Sequence, residues 1–207
     1  MIAHALTIVT NELDRHIDTY GVAGSHVELG NVAEIVAGAG NNGAREKLVL
    51  SLINVQEERT LKNVPTYVRD DVALRVRYEN PPAFLNLSVL VSAPNAKYDM
   101  ALIALSRAIM FFQHRSVFTQ DTVDPLSLTK GQPVNELDQL DAFKLIFTLW
   151  SPTLEELNDM WGMLGGKQFP FALYSVRMLE LRFRTAQRES GLITEIERDF
   201  VHSTPGS

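Results

Sequence analysis

The side chains able to do chemistry are few in this sequence, and their spacing assembles no familiar reactive centre. Histidines stand at 4, 16, 26, 114 and 202. A helical metal site needs two ligands one turn apart so that both reach one ion, and no pair here has the i, i+4 spacing. There is no cysteine, which removes a thiolate nucleophile, a disulfide scaffold and every cysteine-ligated metal centre. The glycine cluster from Gly38 to Gly43 lacks the Lys-Ser/Thr pair that a phosphate-cradling loop requires and follows no strand pattern, so it reads as a mobile loop. Ser25-His26, Glu57-Glu58 and Asp70-Asp71 remain as candidates for acid–base work. Neighbouring residues on a strand point to opposite faces, so neither carboxylate pair makes a dyad, and Asp70-Asp71 reads as a turn. Neither a G-x-S-x-G elbow nor a kinase-type set occurs. The expectation is a protein with no catalytic residues, no metal and no cofactor.

Composition narrows the class further. A chain of 207 residues with 45% hydrophobic and 21% charged residues is the size and balance of one globular domain, able to bury roughly 70% of its unfolded surface. Lys plus Arg number 19 against 25 for Asp plus Glu, a formal charge of −6. With no basic run there is no electrostatic footprint for nucleic acid. The nearest thing to one, Arg177, Arg182, Arg184 and Arg188, is interleaved with acids on a strand-like pattern and reads as a solvated sheet face. His4, Asn11, Glu12, Asp14 and Arg15 break up the N-terminus, which therefore lacks a signal-peptide pattern. No stretch approaches the roughly 18 apolar residues of a membrane span, so no direct membrane insertion is expected.

The elements that must position these residues follow from periodicity. Ile2, Leu6, Val9, Leu13 and Ile17 recur at steps of four and three, an amphipathic helix ending at Gly21, with Glu12, Asp14, Arg15 and Asp18 off the stripe. A glycine- and asparagine-rich loop to Gly43 surrounds one short apolar piece, Val32 to Val36. Lys47–Val55 and Phe84–Val91 read as apolar strands, and Val72–Tyr78 as a half-buried one stopped by Pro81-Pro82. A second long helix opens at Pro94-Asn95 and runs to about Gln113; Phe143–Leu149 alternates as a strand. Thr153 and Glu156 form a T-x-x-E capping box for a third helix, which carries Trp161 on its apolar face and stops at Gly165-Gly166. Leu173–Phe183 is expected to pair with Leu192–Val201 as a hairpin, through the polar stretch ending at Gly191. The sum is a single α+β domain, residues 1–201, with a mainly antiparallel sheet packed against two long helices and one short one, and a polar tail at 202–207. Phe111 and Phe112 cannot both point inward from a narrow helical stripe, so one is left to cover a sheet edge or meet a partner.

One run is not generic. In LSLINVQEERTLKN, Leu50 to Asn63, an apolar strand continues without a break into Gln56, Glu57, Glu58 and Arg59. The strand must leave the core there, to end in solvent or to meet a charged partner. The run resembles the signature of cap, or tail-terminator, proteins of contractile injection systems of the anti-feeding-prophage and virulence-cassette type. Pro81–Ala93, Tyr98–Phe118 and Thr153–Leu181 match that family in order and spacing.

The resemblance implies a structural cap similar to phage tail-terminator proteins. It would form a homo-hexameric ring on the last ring of inner tube protein, end tube growth and engage the contractile sheath protein. Family members often carry a longer C-terminal extension. Gln56, Glu57, Glu58, Arg59, Lys62, Asn63 and Phe112 are the residues expected at a subunit or tube interface, and the loop at 37–43 is expected to order on docking. A terminator or connector of an ordinary phage tail, or a cargo protein of the particle, are the alternatives.

Overall fold

In a computed structural model describing residues 1–20, 26–37, 46–58, 67–70, 75–78, 82–140, 142–181 and 188–191, the N-terminal apolar stripe forms helix α1 (Ile2–Asp18). Leu6, Val9, Leu13 and Ile17 are buried because their spacing keeps them on one side of a 3.6-residue helix. There follow β1 (Val27–Leu29), α2 (Val32–Ala37), β2 (Leu48–Glu57), β3 (Tyr67–Asp70), β4 (Arg75–Tyr78) and β5 (Ala83–Ser92). The second half holds α3 (Tyr98–His114), β6 (Val117–Thr119), α4 (Pro125–Thr129), a 3-10 turn (Glu136–Asp138), β7 (Lys144–Trp150), α5 (Leu154–Met163), β8 (Phe171–Leu181) and β9 (Arg188–Gly191). The chain divides into two units, residues 1–61 with 83–181 and residues 62–82 with 182–207.

The first unit carries a six-stranded sheet in the order β1-β2-β5-β8-β7-β6. Only the β1–β2 pair is parallel. This is the α+β class with a mainly antiparallel sheet that the periodicities predict, but its helices lie on both faces. One face packs on α1 and α3: Leu50, Leu87, Val89, Val91, Leu145, Phe147, Tyr174 and Val176 share a core with Ala101, Leu105, Ala108 and Phe111. On the opposite face, Met160 and Trp161 of α5 and Val32 of α2 close over Leu90 and Leu173. The predicted capping box starts α5: the Glu156 N–H donates to Thr153 Oγ1 at 3.3 Å and the Thr153 N–H to Glu156 Oε2 at 2.8 Å. Gly165 and Gly166, with φ of 103° and 78°, end it in a conformation that favours glycine.

Both Phe111 and Phe112 are buried, which corrects the expectation that one of them, Phe112, meets a partner. The last turn of α3 sits over the seam between α1 and the sheet, so consecutive positions straddle it. Phe111 turns toward His16 of α1, ring centroids 5.1 Å apart. Phe112 turns to the sheet, stacked on Phe147 at 4.8 Å and 4.6 Å from Tyr174. Burial pushes the Tyr174 phenol up to about 12. The outer side of α3 is left with Met100, Leu102, Ile103 and Met110 exposed.

The polar side of α1 is buried as well. The segment from β6 to the 3-10 turn lies along it and is tied down by hydrogen bonds. Glu12 accepts the Arg115 guanidinium and the Asp124 N–H, the latter at 3.0 Å. The Asn11 amide donates to the carbonyls of Ser127 and Lys130 at 3.1 and 2.8 Å. His4 Nδ1 accepts from the Leu140 N–H at 3.0 Å, which makes Nε2 the donor to the Leu128 carbonyl at 3.1 Å. Buried polar groups survive in a fold when partnered in this way.

The second unit contains a three-stranded antiparallel sheet, β3-β4-β9. The hairpin predicted for β8 is not what the described residues show. Over Leu173–Val176 its two edges are taken by β5 and β7, and Gly191 closes β9, which pairs with β4. Residues 192–201, the predicted partner, lie outside the described residues, as do 72–74 of the strand predicted over Val72–Tyr78.

Candidate functional site

Strand β2 changes character along its length. Leu48 to Ser51 are buried and Asn54 to Glu57 are exposed, which is the departure from the core that the sequence of this run predicts. The cause is the cover on the second sheet face. Ser51, Leu90, Leu173 and Trp150 form one cross-strand row, and α5 packs over its two leucines. In the next row the strands carry Asn54, Ser88, Ser175 and Thr148, all polar. Gln56 and Asn86 are paired beyond it, with Arg177 opposite Ile146 on the other side. Within one rung the face passes from a covered apolar surface to an open polar one.

Two β-bulges bracket this polar patch. In β2 the register shifts between Leu52 and Asn54, leaving Ile53 as the extra residue beside Ser88. In β8 both Arg177 and Met178 stand opposite Asn86. An extra residue bends a strand, deepens its twist and re-aims the side chains around it. Between the bulges lies an open groove of about 330 Å³ lined by Gln56, Ser88, Ser175, Thr148 and Arg177, with Trp150 and Ser151 at the end of β7.

The hydroxyls on the two halves of this face differ. On the covered half, Ser51 Oγ donates to the Gly30 carbonyl at 2.7 Å and accepts the Val32 N–H at 3.1 Å, and Ser92 Oγ donates to the Val49 carbonyl at 3.4 Å. These two fasten the fold. On the open half, Ser88, Ser175 and Thr148 make no side-chain hydrogen bond with the described residues.

Of the residues expected at an interface, Gln56 lies in the groove. Glu57 is exposed, and alternation turns it to the opposite face of the sheet. Glu58, just past the strand end, is half-buried and accepts the Asn86 amide at 2.8 Å. Arg59, Lys62 and Asn63 lie outside the described residues, as do 38–43 of the glycine-rich loop. Phe112 is in the core and is brought near none of these. Asn54, Asn86, Ser88, Thr148 and Ser175 carry no motif signal in the sequence, because each is a single polar residue in a largely apolar strand. Arg177, expected on a solvated sheet face, is exposed and lies in the groove.

The other candidate chemistry disperses. Both ring nitrogens of His4 are engaged. His16 is held below its usual pKa by burial and by the nearby His114. His26 Nε2 stands 3.4 Å from Asp18, while its neighbour Ser25 is outside the described residues. Among the described residues no group of three or more His, Asp or Glu is placed to hold a metal ion, and no helix is long and apolar enough to cross a membrane.

Residues 4–195 match the family described as the Pvc16 N-terminal domain. The fold is similar to that of the sheath/tube terminator of the PVC extracellular contractile injection system in its extended state. The TM-score is 0.59 at 13% identity, over 97% of this chain and 64% of that one. It is also similar to the tube-terminating cap of the anti-feeding prophage, with a TM-score of 0.54 at 13% identity, over 93% of this chain and 60% of that one. At such identity these are likenesses of fold, and the chain spans less than two thirds of the length of either structure. A sequence comparison with curated proteins gives no match.

Proposed function

We propose that this chain, which belongs to the Pvc16 N-terminal domain family, is a tube-terminating cap subunit of a contractile injection system. The observation that carries the proposal is the agreement of the family match over residues 4–195 with a fold shared, across 97% of the chain, with a sheath/tube terminator. The role is structural and non-catalytic. Residues 1–201 act as one cap domain, and 202–207 are its polar tail.

Six copies close into a ring on the last ring of inner tube protein and engage the contractile sheath above it. A head-to-tail contact that closes after six copies makes such a ring. Each contact can be modest, because a ring meets a polymer at many points and gains by multivalency. Gln56, Glu57, Glu58, Arg59, Lys62 and Asn63 form a subunit or tube interface, in which the charged Glu57, Glu58, Arg59 and Lys62 fix the register of neighbouring subunits more through specificity than raw affinity. The particle assembles in the bacterial cytoplasm.

The test is electron microscopy of particles carrying Glu57→Ala, Glu58→Ala and Arg59→Ala together, beside purified protein mixed with tube protein. Tubes that overrun their normal length or lack an end ring are the expected result. Capped tubes of normal length from the triple variant would remove this cluster from the interface. A purified chain that stays monomeric and ignores tube ends would remove the cap function itself.

A further inference from the structure

We propose that the polar groove on the second sheet face is a carboxylate-binding site that takes an acidic side chain from a partner polypeptide, with Arg177 as its charge partner. The inference goes beyond the cap reading, since it assigns a ligand chemistry to a surface that shares only Gln56 with the cluster at the end of β2.

Three observations carry it. The groove is rich in donors and holds one cation: Arg177, the hydroxyls of Ser88, Ser175 and Thr148, and the Gln56 amide line it, and none of its lining residues is acidic. Among the described residues no carboxylate pairs with Arg177. Glu57, next to Gln56, is turned to the opposite face of the sheet, and Glu58 is held by the Asn86 amide. A guanidinium offers a planar fork that matches a carboxylate with two parallel hydrogen bonds.

The second observation is the contrast along the face. Ser51 and Ser92, under cover, are bonded to backbone, whereas the three hydroxyls of the open row have no such task. They stand in register on three adjacent strands, so their spacing is fixed by the sheet. The third is the pair of bulges on either side of Asn86–Ser88. The bulge in β8 falls at Arg177 itself. Trp150, 41% exposed at the groove's end, supplies an apolar wall for the methylenes of a glutamate. The site is open and holds one charge, so the affinity for a lone carboxylate is weak, on the order of millimolar; an assembly with many copies makes such a contact effective.

The experiment is an NMR titration of the full chain with the peptide acetyl-Gly-Gly-Glu-Gly-Gly-amide. The Gln counterpart and free acetate are titrated in parallel. The Glu peptide is expected to shift the Trp150 indole N–H and the amides of Ser88 and Ser175, with the Gln peptide and acetate at least tenfold weaker. Arg177→Gln is expected to weaken the Glu peptide at least tenfold, while Arg177→Lys retains part of the binding. Ser175→Ala with Thr148→Val should weaken it less. Spectra that otherwise overlay with wild type confirm that each variant is folded.

Equal shifts from the Glu and Gln peptides, or unaltered affinity in Arg177→Gln, would overturn the carboxylate assignment. Acetate as strong as the peptide would overturn the polypeptide ligand. The same shifts on raising protein concentration without peptide would mean that a second copy fills the groove and would equally overturn it. Because the titration reads the isolated chain, its outcome is separate from whether the chain caps a tube.

Discussion

Replacing Phe112 by alanine separates a core residue from an interface residue by a wide margin. The ring is 2% exposed, stacks on Phe147 at 4.8 Å and lies 4.6 Å from Tyr174. Its edge meets Phe111 at 5.1 Å. Truncating a buried phenylalanine costs about 3–5 kcal/mol, from lost transfer energy and the cavity left behind. The aromatic contacts, each worth about 0.5–1.5 kcal/mol beyond area, place this site in the upper part of that range. A loss of about 4 kcal/mol lowers the thermal midpoint of a chain this long by roughly 8–16 °C. Leu102→Ala, on the outer side of the same helix and 43% exposed, should shift stability by no more than about 1 kcal/mol. Urea unfolding followed by circular dichroism at low protein concentration measures both, with the m-value showing whether the unfolded state is unchanged. A Phe112→Ala protein within about 1 kcal/mol of wild type that nevertheless fails to assemble would return Phe112 to an interface and refute the packing argument.

Other predictions follow from single contacts. Asn11→Ala strips the donor from the Ser127 and Lys130 carbonyls and should cost about 1–3 kcal/mol, seen most clearly as faster hydrogen exchange around α4. Thr153→Ala removes half of the capping box and should cost about 1 kcal/mol in chemical unfolding. Gly131 has φ 72°, and a Cβ there would meet Thr7 Cγ2 at 3.0 Å, so Gly131→Ala should destabilise by roughly 1–2 kcal/mol in the same assay. Tyr174 is raised from 10.0 to about 12. The folded state therefore keeps a proton that the unfolded chain releases, and stability is intact below pH 10 and falls as pH rises from 10 toward 12. A pH series of urea midpoints in which Tyr174→Phe declines as steeply as wild type over that window would contradict this.

What the sequence disclosed depended on the range of each signal. Helix α5 was legible because its start and stop are local: a capping box at Thr153 and Glu156, then two glycines. Strands β2, β5, β7 and β8 were legible from apolar runs and alternation. Strand β1 was hidden, since three residues in a glycine-rich stretch gain their order only by pairing with Leu48–Leu50. The burial of Glu12 was hidden too, because its partners Arg115 and the Asp124 N–H come a hundred residues later, and that of Asp14 because it accepts from the backbone N–H groups of His26 and Val27, which carry no side-chain signal. The groove had no motif to find. Asn54, Ser88, Thr148 and Ser175 become neighbours only through the register of four strands. The one sequence signal was polar residues at alternate positions, Asn86 and Ser88, inside the largely apolar β5.

The strand order also fixes when the protein can become itself during synthesis. Strand β5 sits between β2 and β8, and Leu90 of β5 meets Leu173 of β8, a partner made much later in the chain. Until β8 has left the ribosome, β1, β2 and β5 lack the neighbour that closes the second edge of β5, and the apolar side chains of β5 stay without their β8 partners. Strand β7, already made, has no central neighbour to dock on. Such long-range pairing closes late and leaves adhesive surface exposed meanwhile. A nascent chain arrested before Phe171 is therefore expected to bind holdase chaperones, and one extended far enough to free Leu181 from the exit tunnel to be released from them.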